Sequence, residues 1–232
     1  MSARIHPTAI VDATAQLADD VVVGPWAFIG PDCTVGAGSV IHMRATLEEH
    51  VHLGPRVTVG VGSVLGGRPQ DLKFKGEVTT VGKGCFLMSY VHLAHDCHIG
   101  DGVIISNGTQ LAGHVKIDDR AIISGLCAVH QFAKIGRHAF VGGMSRVAKD
   151  IPPFVKAVGN PVKLYGLNSI GLQRSGFSEP VISELKKAYR LFFRSEVNIT
   201  QALEKAATEL QPLPEVKDFI DFVEASGRGI VM

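Results

Sequence analysis

A parallel β-helix followed by an α-helical C-terminal domain is the fold this sequence predicts, on three observations. Aliphatic residues recur at every sixth position through most of the chain. A second column, four positions further on, holds small or β-branched residues with the same period. Beyond residue 178 that beat gives way to apolar spacings of three and four.

The first column starts at Ile5 and steps through Val11, Leu17, Val23, Ile29, Val35, Ile41, Leu47, Leu53, Val59 and Leu65. It breaks over residues 66–80, restarts at Val81, and runs by sixes without exception to Val147. The second column opens with Ala9, Ala15, Val21, Ala27, Cys33 and Ser39, and resumes at Cys85, Val91 and Cys97. All four cysteines fall in it and none forms a CxxC pair. They therefore read as small buried fillers rather than as a disulfide framework or a zinc site.

A six-residue period is the length of a short strand plus a corner. Three such units close one triangular coil of 18 residues, and coils stack at about the 4.8 Å strand spacing. The aliphatic residue points into the prism, the small residue fills the space beside it, and Gly, Asp and Asn take the corners. Residues 1–150 are expected to form this prism, with room for about seven coils and a loop excursion at 66–80. Residues 151–177, broken by Pro152-Pro153 and by Asn160-Pro161, read as a connecting segment. Residues 178–232 read as a helical domain. Ser178-Glu179-Pro180 has the form of a helix start, and Val181, Leu185, Ala188, Leu191 and Phe192 then fall on one face. Further helices are expected over about residues 200–210 and 214–225, the last stopped at Gly227. These helices should pack on the end of the prism and protect its strand edge.

Composition narrows the function. Hydrophobic residues make up 46% of the chain and charged residues 19%, a globular balance. A net charge of +1 argues against nucleic acid or an anionic membrane as partner. No apolar run is long enough for a membrane span, and the first residues lack the apolar core of a signal peptide, so a cytoplasmic location is expected.

The densest group of titratable side chains on the repeat is His92, His95, Asp96 and His98. Stacking by 18 places Gly113 one coil above His95 and Gln131 one coil above that. A histidine has a pKa suited to general-base work near neutral pH.

The motifs IHPTAIV at 5–11, PQDLKF at 69–74, HLAHDCHIGDG at 92–102, LAGHVKIDD at 111–119, AVHQFAKIG at 128–136 and GLNSIGLQRSGFS at 166–178 carry a resemblance over nearly the whole chain. The sequence resembles the UDP-N-acetylglucosamine O-acyltransferases that begin lipid A synthesis. That resemblance implies a left-handed helix, which the period alone does not give, and a bacterial, cytoplasmic homotrimer with sites between neighbouring prisms. It implies transfer of a 3-hydroxyacyl group from acyl carrier protein to the 3-hydroxyl of UDP-N-acetylglucosamine, with no metal and no organic cofactor. His95 matches the family's base, Asp96 its neighbour and Gly113 the oxyanion donor. Asp71, Lys73, His92, His114, His130, Gln131, Asn168 and Arg174 match substrate contacts, and Gly143 matches a position lining the acyl pocket. Arg146, Lys149, Lys156, Lys163 and Arg174 form a basic stretch that suits an acidic carrier protein.

Three departures stand out. Ile170 replaces an acidic residue of the family pattern, Ser175 replaces the second Arg of a pair, and only 23 residues separate Asp71 from His95, fewer than is usual. Three other functions fit parts of the sequence: acylation of the amine of a UDP-amino sugar, a trimeric scaffold without catalysis, and a zinc hydratase on the same kind of prism. The hydratase needs a pair of histidines five apart, which the chain lacks.

Overall fold

The computed structural model describes residues 2–67 and 78–232. Residues 4–67 and 78–158 wind into a left-handed parallel β-helix of about eight turns, and four helices follow among the described residues. Among the described residues its three sheets contain ten, eight and seven strands. Most strands are two residues long, and most pair with the strand 18 positions on, as Arg4 with Val22 and Gln110 with Ala128. The physical cause is the aliphatic column. From Val23 onward each member is at most 4% exposed, and each such burial contributes about 1.5–3 kcal/mol. Ile5 is 46% exposed because no coil lies below it.

The second column is buried as well, and its polar members explain how a hydroxyl or thiol is tolerated there. Most donate to the carbonyl 15 residues ahead, as do Cys33 Sγ to Glu48 O at 2.9 Å, Ser39 Oγ to Gly54 O at 3.1 Å, Cys97 Sγ to Ala112 O at 3.3 Å and Thr109 Oγ1 to Ser124 O at 2.8 Å, whereas Ser63 Oγ reaches Met88 O and Ser145 Oγ turns back to Gly142 O. A buried polar atom with a partner costs little.

The excursion is narrower than expected. Val64–Gly67 and Thr79–Val81 are strands of the second and third sheets. Val64 pairs with His92, a separation of 28 residues instead of 18, so this turn is lengthened by ten. The prism is also longer at its far end. Residues 151–177 form a hairpin of Val155–Val158 and Lys163–Leu167 that extends the first sheet, and then α1 (Ser169–Arg174). The period misses this hairpin because its second strand runs antiparallel and leaves the solenoid.

The helical part consists of α2 (Glu179–Phe193), α3 (Ile199–Glu209) and α4 (Pro214–Glu224). Ser178 is the N-cap residue of α2 with Pro in the first turn, and Asn198 with Gln201 forms a capping box on α3. Phe192, Phe193 and Phe219 meet in edge contacts between α2 and α4. Arg137 on the prism pairs with Asp218 on α4 at 2.5 Å. The last residues return to the prism, where Ile230 bridges Asp150.

Candidate active site

The corner between the second and third sheets gathers the residues that matter. Its turns use the left-handed backbone region at the same place in successive coils: Asp96 (φ 58), His114 (φ 60) and Phe132 (φ 64). Asp and His enter that region more readily than most side chains, whereas a bulky Phe does so at a cost. The return is packing. The Phe132 ring stacks on His114 with centroids 4.5 Å apart, and His114 meets His95 edge-on at 5.0 Å.

His95 sits in the next column. Its Nδ1 lies 2.6 Å from Asp96 Oδ2, and Asp96 is 1% exposed. A buried carboxylate facing Nδ1 accepts its proton in a hydrogen bond, so the lone pair of the neutral ring stands on Nε2. His114 Nε2 lies 3.5 Å from the same carboxylate oxygen. Asp96 Oδ1 is buried and has no hydrogen-bond partner among the described residues.

His95, Asp96 and His114 also have the composition of a metal-ligand set. The 2.6 Å contact is a charge-assisted hydrogen bond, shorter than the about 3.3 Å that two ligands of one tetrahedral zinc keep.

Gly113 lies directly against His95. A Cβ built on Gly113 would stand 2.4 Å from His95 Cε1 and 2.5 Å from Nε2, so only glycine leaves room for the ring. The coil register is fixed by His114 N–H donating to His95 O, and by Phe132 N–H donating to Gly113 O, both at 3.1 Å. The Gly113 N–H itself has no acceptor among the described residues. Gln131 follows one coil on and is exposed.

His92 projects from the second sheet, half-buried, and burial holds its pKa below the ordinary histidine value. Its Nε2 faces Gly67, whose strand pairs with Ala94. Thr79 Oγ1 donates to Ala94 O at 3.3 Å. Both ends of the excursion therefore meet the residue before His95. Asp71 and Lys73 lie outside the described residues.

His130 is exposed at the same corner. His98 faces outward from the third sheet, with Nδ1 2.9 Å from Thr80 Oγ1. The remaining expected contacts sit elsewhere on the chain. Gly143 is exposed at the corner between the first and second sheets. Asn168 belongs to the corner between the third and first sheets, where its Nδ2 donates to His138 O at 3.0 Å. Arg174 ends α1 and is exposed. One prism thus spreads these residues over its three edges.

Two residues at this corner were missed by the sequence reading. Phe132 was legible in principle, being 18 positions after His114. Arg228, which reaches His130 at 2.8 Å from 98 residues away, has no periodic signal.

A triangular prism with a carboxylate-held histidine on one edge is the frame of a transferase built on hexapeptide repeats. The sequence profile of the bacterial transferase hexapeptide (six repeats) matches residues 79–113, and that of UDP N-acetylglucosamine O-acyltransferase, domain 2, matches residues 150–231. The chain is 40% identical over 254 residues to the acyl-[acyl-carrier-protein]–UDP-N-acetylglucosamine O-acyltransferase of Thermodesulfovibrio yellowstonii, covering 98% of each chain. It is 40% identical over 256 residues to the enzyme of that name from Thiobacillus denitrificans, covering 99% of each. The fold matches LpxA from Acinetobacter baumannii with a TM-score of 0.87 at 36% identity, over 98% of this chain and 99% of that one. It matches the UDP-N-acetylglucosamine O-acyltransferase of Moraxella catarrhalis with a TM-score of 0.86 at 33% identity, over 100% of both. The chain belongs to the family of acyl-[acyl-carrier-protein]–UDP-N-acetylglucosamine O-acyltransferases. The aligned span of 254 residues exceeds the 232 of this chain, so that relative carries residues this chain lacks.

Proposed function

We propose that this protein transfers a 3-hydroxyacyl group from acyl carrier protein to the 3-hydroxyl of UDP-N-acetylglucosamine, the opening step of lipid A synthesis, with His95 as general base. The observation that carries the reading is the His95–Asp96 contact with Nε2 poised beside Gly113.

A sugar hydroxyl is a weak nucleophile until its proton is taken. Nε2 of His95 takes it while the hydroxyl oxygen bonds to the thioester carbon. Asp96 holds the ring in the required tautomer and stabilises the imidazolium that forms. The carbonyl oxygen becomes an oxyanion and accepts a hydrogen bond from the Gly113 N–H, which has no acceptor among the described residues. When the tetrahedral species collapses, the C–S bond breaks and the proton on Nε2 passes to the leaving thiolate. The new ester and the free carrier thiol leave the enzyme unchanged.

The chain works as a homotrimer with sites between neighbouring prisms. The spread of Gly143, Asn168 and His95 over three edges supports this, since only a neighbouring copy can bring another edge to His95. The outward face of the first sheet supports it as well, being apolar at Val22, Val40, Phe86, Ile104, Ile122 and Phe140. The outward face of the third sheet carries His52, His98, Lys116 and Lys134 instead. At the corner beside the first sheet, Trp26, Tyr90, Leu126 and Met144 are 57%, 64%, 66% and 73% exposed, an apolar ridge that wants covering. Asp71, Lys73, His92, His114, His130, Gln131, Asn168 and Arg174 bind the substrates, Gly143 lines the acyl pocket, and the location is cytoplasmic. Among the described residues no helix is long and apolar enough to cross a membrane.

The test is incubation of the purified protein with 3-hydroxyacyl carrier protein and UDP-N-acetylglucosamine, with His95→Ala alongside. An ester product that the substitution abolishes is expected. No transfer, or transfer indifferent to the substitution, sinks the reading. Transfer only to a UDP-amino sugar moves the acceptor from a hydroxyl to an amine.

A further inference from the structure

We propose that Arg228, in the C-terminal tail, is a positioning residue of the active site that fixes which nitrogen of His130 carries the proton. Its Nη2 lies 2.8 Å from His130 Nδ1, and its Nε donates to Ala148 O at 2.8 Å. A guanidinium only donates. Gln131 O also lies 3.2 Å from Nδ1 and would accept a proton there, but the shorter 2.8 Å bond from the guanidinium requires a lone pair on Nδ1 and puts the ring proton on Nε2. Nε2 has no hydrogen-bond partner among the described residues, and the ring is exposed. His130 is thus presented as a donor, at the column immediately before that of His95, Gly113 and Gln131. Both substrates of the proposed reaction are rich in acceptor oxygens, so a fixed donor here is useful where a mixture of tautomers is not.

The tail is held firmly enough to set a tautomer. Asp150, 1% exposed, is its anchor. Its Oδ1 accepts from Lys134 N–H at 2.8 Å and its Oδ2 from Ser226 Oγ at 2.7 Å. Its N–H donates to Gly229 O and its carbonyl accepts from Val231 N–H, both at 3.0 Å. Ile230 and Val231 are buried beside it. These bonds lie on both sides of Arg228, so the guanidinium spans Ala148 and His130, which occupy one column in successive coils, as a fork. Lysine, with a single point of attachment, does not reproduce that geometry.

The experiment has two arms. In full-length protein with carbon-labelled histidine, the His130 ring signals are assigned by their loss in His130→Ala. In the wild type they should report a pure Nε2–H tautomer, and in Arg228→Ala and Arg228→Lys a mixture. A ring signature unchanged by Arg228→Ala overturns the proposal. In the second arm, Arg228→Ala should lower kcat/KM by roughly tenfold, the scale of one hydrogen bond. In the His130→Ala background the same substitution should cost nothing further. Effects that multiply would show that Arg228 does not act through His130. This arm rests on the acyl-transfer reading. Wild-type protein that transfers nothing would sink that reading while the ring signals still judge Arg228.

Discussion

Substituting Gly113 by alanine tests the geometry of the site most directly. The backbone at Gly113 lies outside the left-handed region, so alanine meets no conformational penalty, and the N–H is retained. What changes is one methyl group. It would stand 2.4 Å from His95 Cε1 and 2.5 Å from Nε2, about 1 Å inside ordinary contact. The coil cannot yield easily, because backbone bonds on both sides fix the register at 3.1 Å. The ring yields instead, by about that distance, and leaves its 2.6 Å contact with Asp96. Misplacing a catalytic group by about 1 Å costs on the order of a hundredfold in rate. Gly113→Ala should therefore lower kcat by about that factor, with a melting temperature close to the wild type. Steady-state transfer kinetics measure the loss, and the same substitution on a His95→Ala background isolates its route. Little further loss there is expected, because the group being displaced is already gone. A Gly113→Ala enzyme with unchanged kcat would refute the placement of His95. A loss equally large without His95 would refute the claim that the methyl acts through the ring.

Two other predictions concern the scaffold. His138 is 7% exposed between the rings of Phe154 and Phe177, and burial, aided by Arg120 and Arg137, holds its pKa down at about 4. Between about pH 4 and 6.5 the unfolded chain binds the proton and the folded chain does not. Stability therefore falls as pH drops through that window, by on the order of 3 kcal/mol from this group. Denaturant titrations across pH should show a shallower fall in His138→Phe, and parallel curves would count against the assignment. Burial also pushes the Cys97 thiol up to about 12. Native protein should leave it unlabelled by a thiol reagent at neutral pH, while unfolded protein exposes all four cysteines. Fast labelling of Cys97 in the native state would contradict its place in the prism.

The prism and much of its active edge were legible because a solenoid is nearly one-dimensional. Once Ile5 and Val81 set the two phases, neighbours within a phase lay 18 residues away, and His95, Gly113 and Gln131 aligned without reference to distant contacts. The hairpin of Val155–Val158 and Lys163–Leu167 did not follow, because an antiparallel return leaves the period. The excursion was drawn too wide for a similar reason. Gly67 falls outside the aliphatic pattern yet still pairs with Ala94, across a register shift at Gly66.

The sequence by itself determined the strand period, the inward column, the burial of the four cysteines and the stacking of His95 under Gly113. These depend on residue type and on a fixed step along the chain. Tertiary structure alone decided that Asp96 turns its carboxylate to His95 Nδ1, that Phe132 covers His114, and that the tail brings Arg228 to His130. The first two depend on corner residues entering a left-handed backbone that redirects their side chains. The third depends on a contact across 98 residues, which helix packing and the Asp150 anchor create and no repeat encodes.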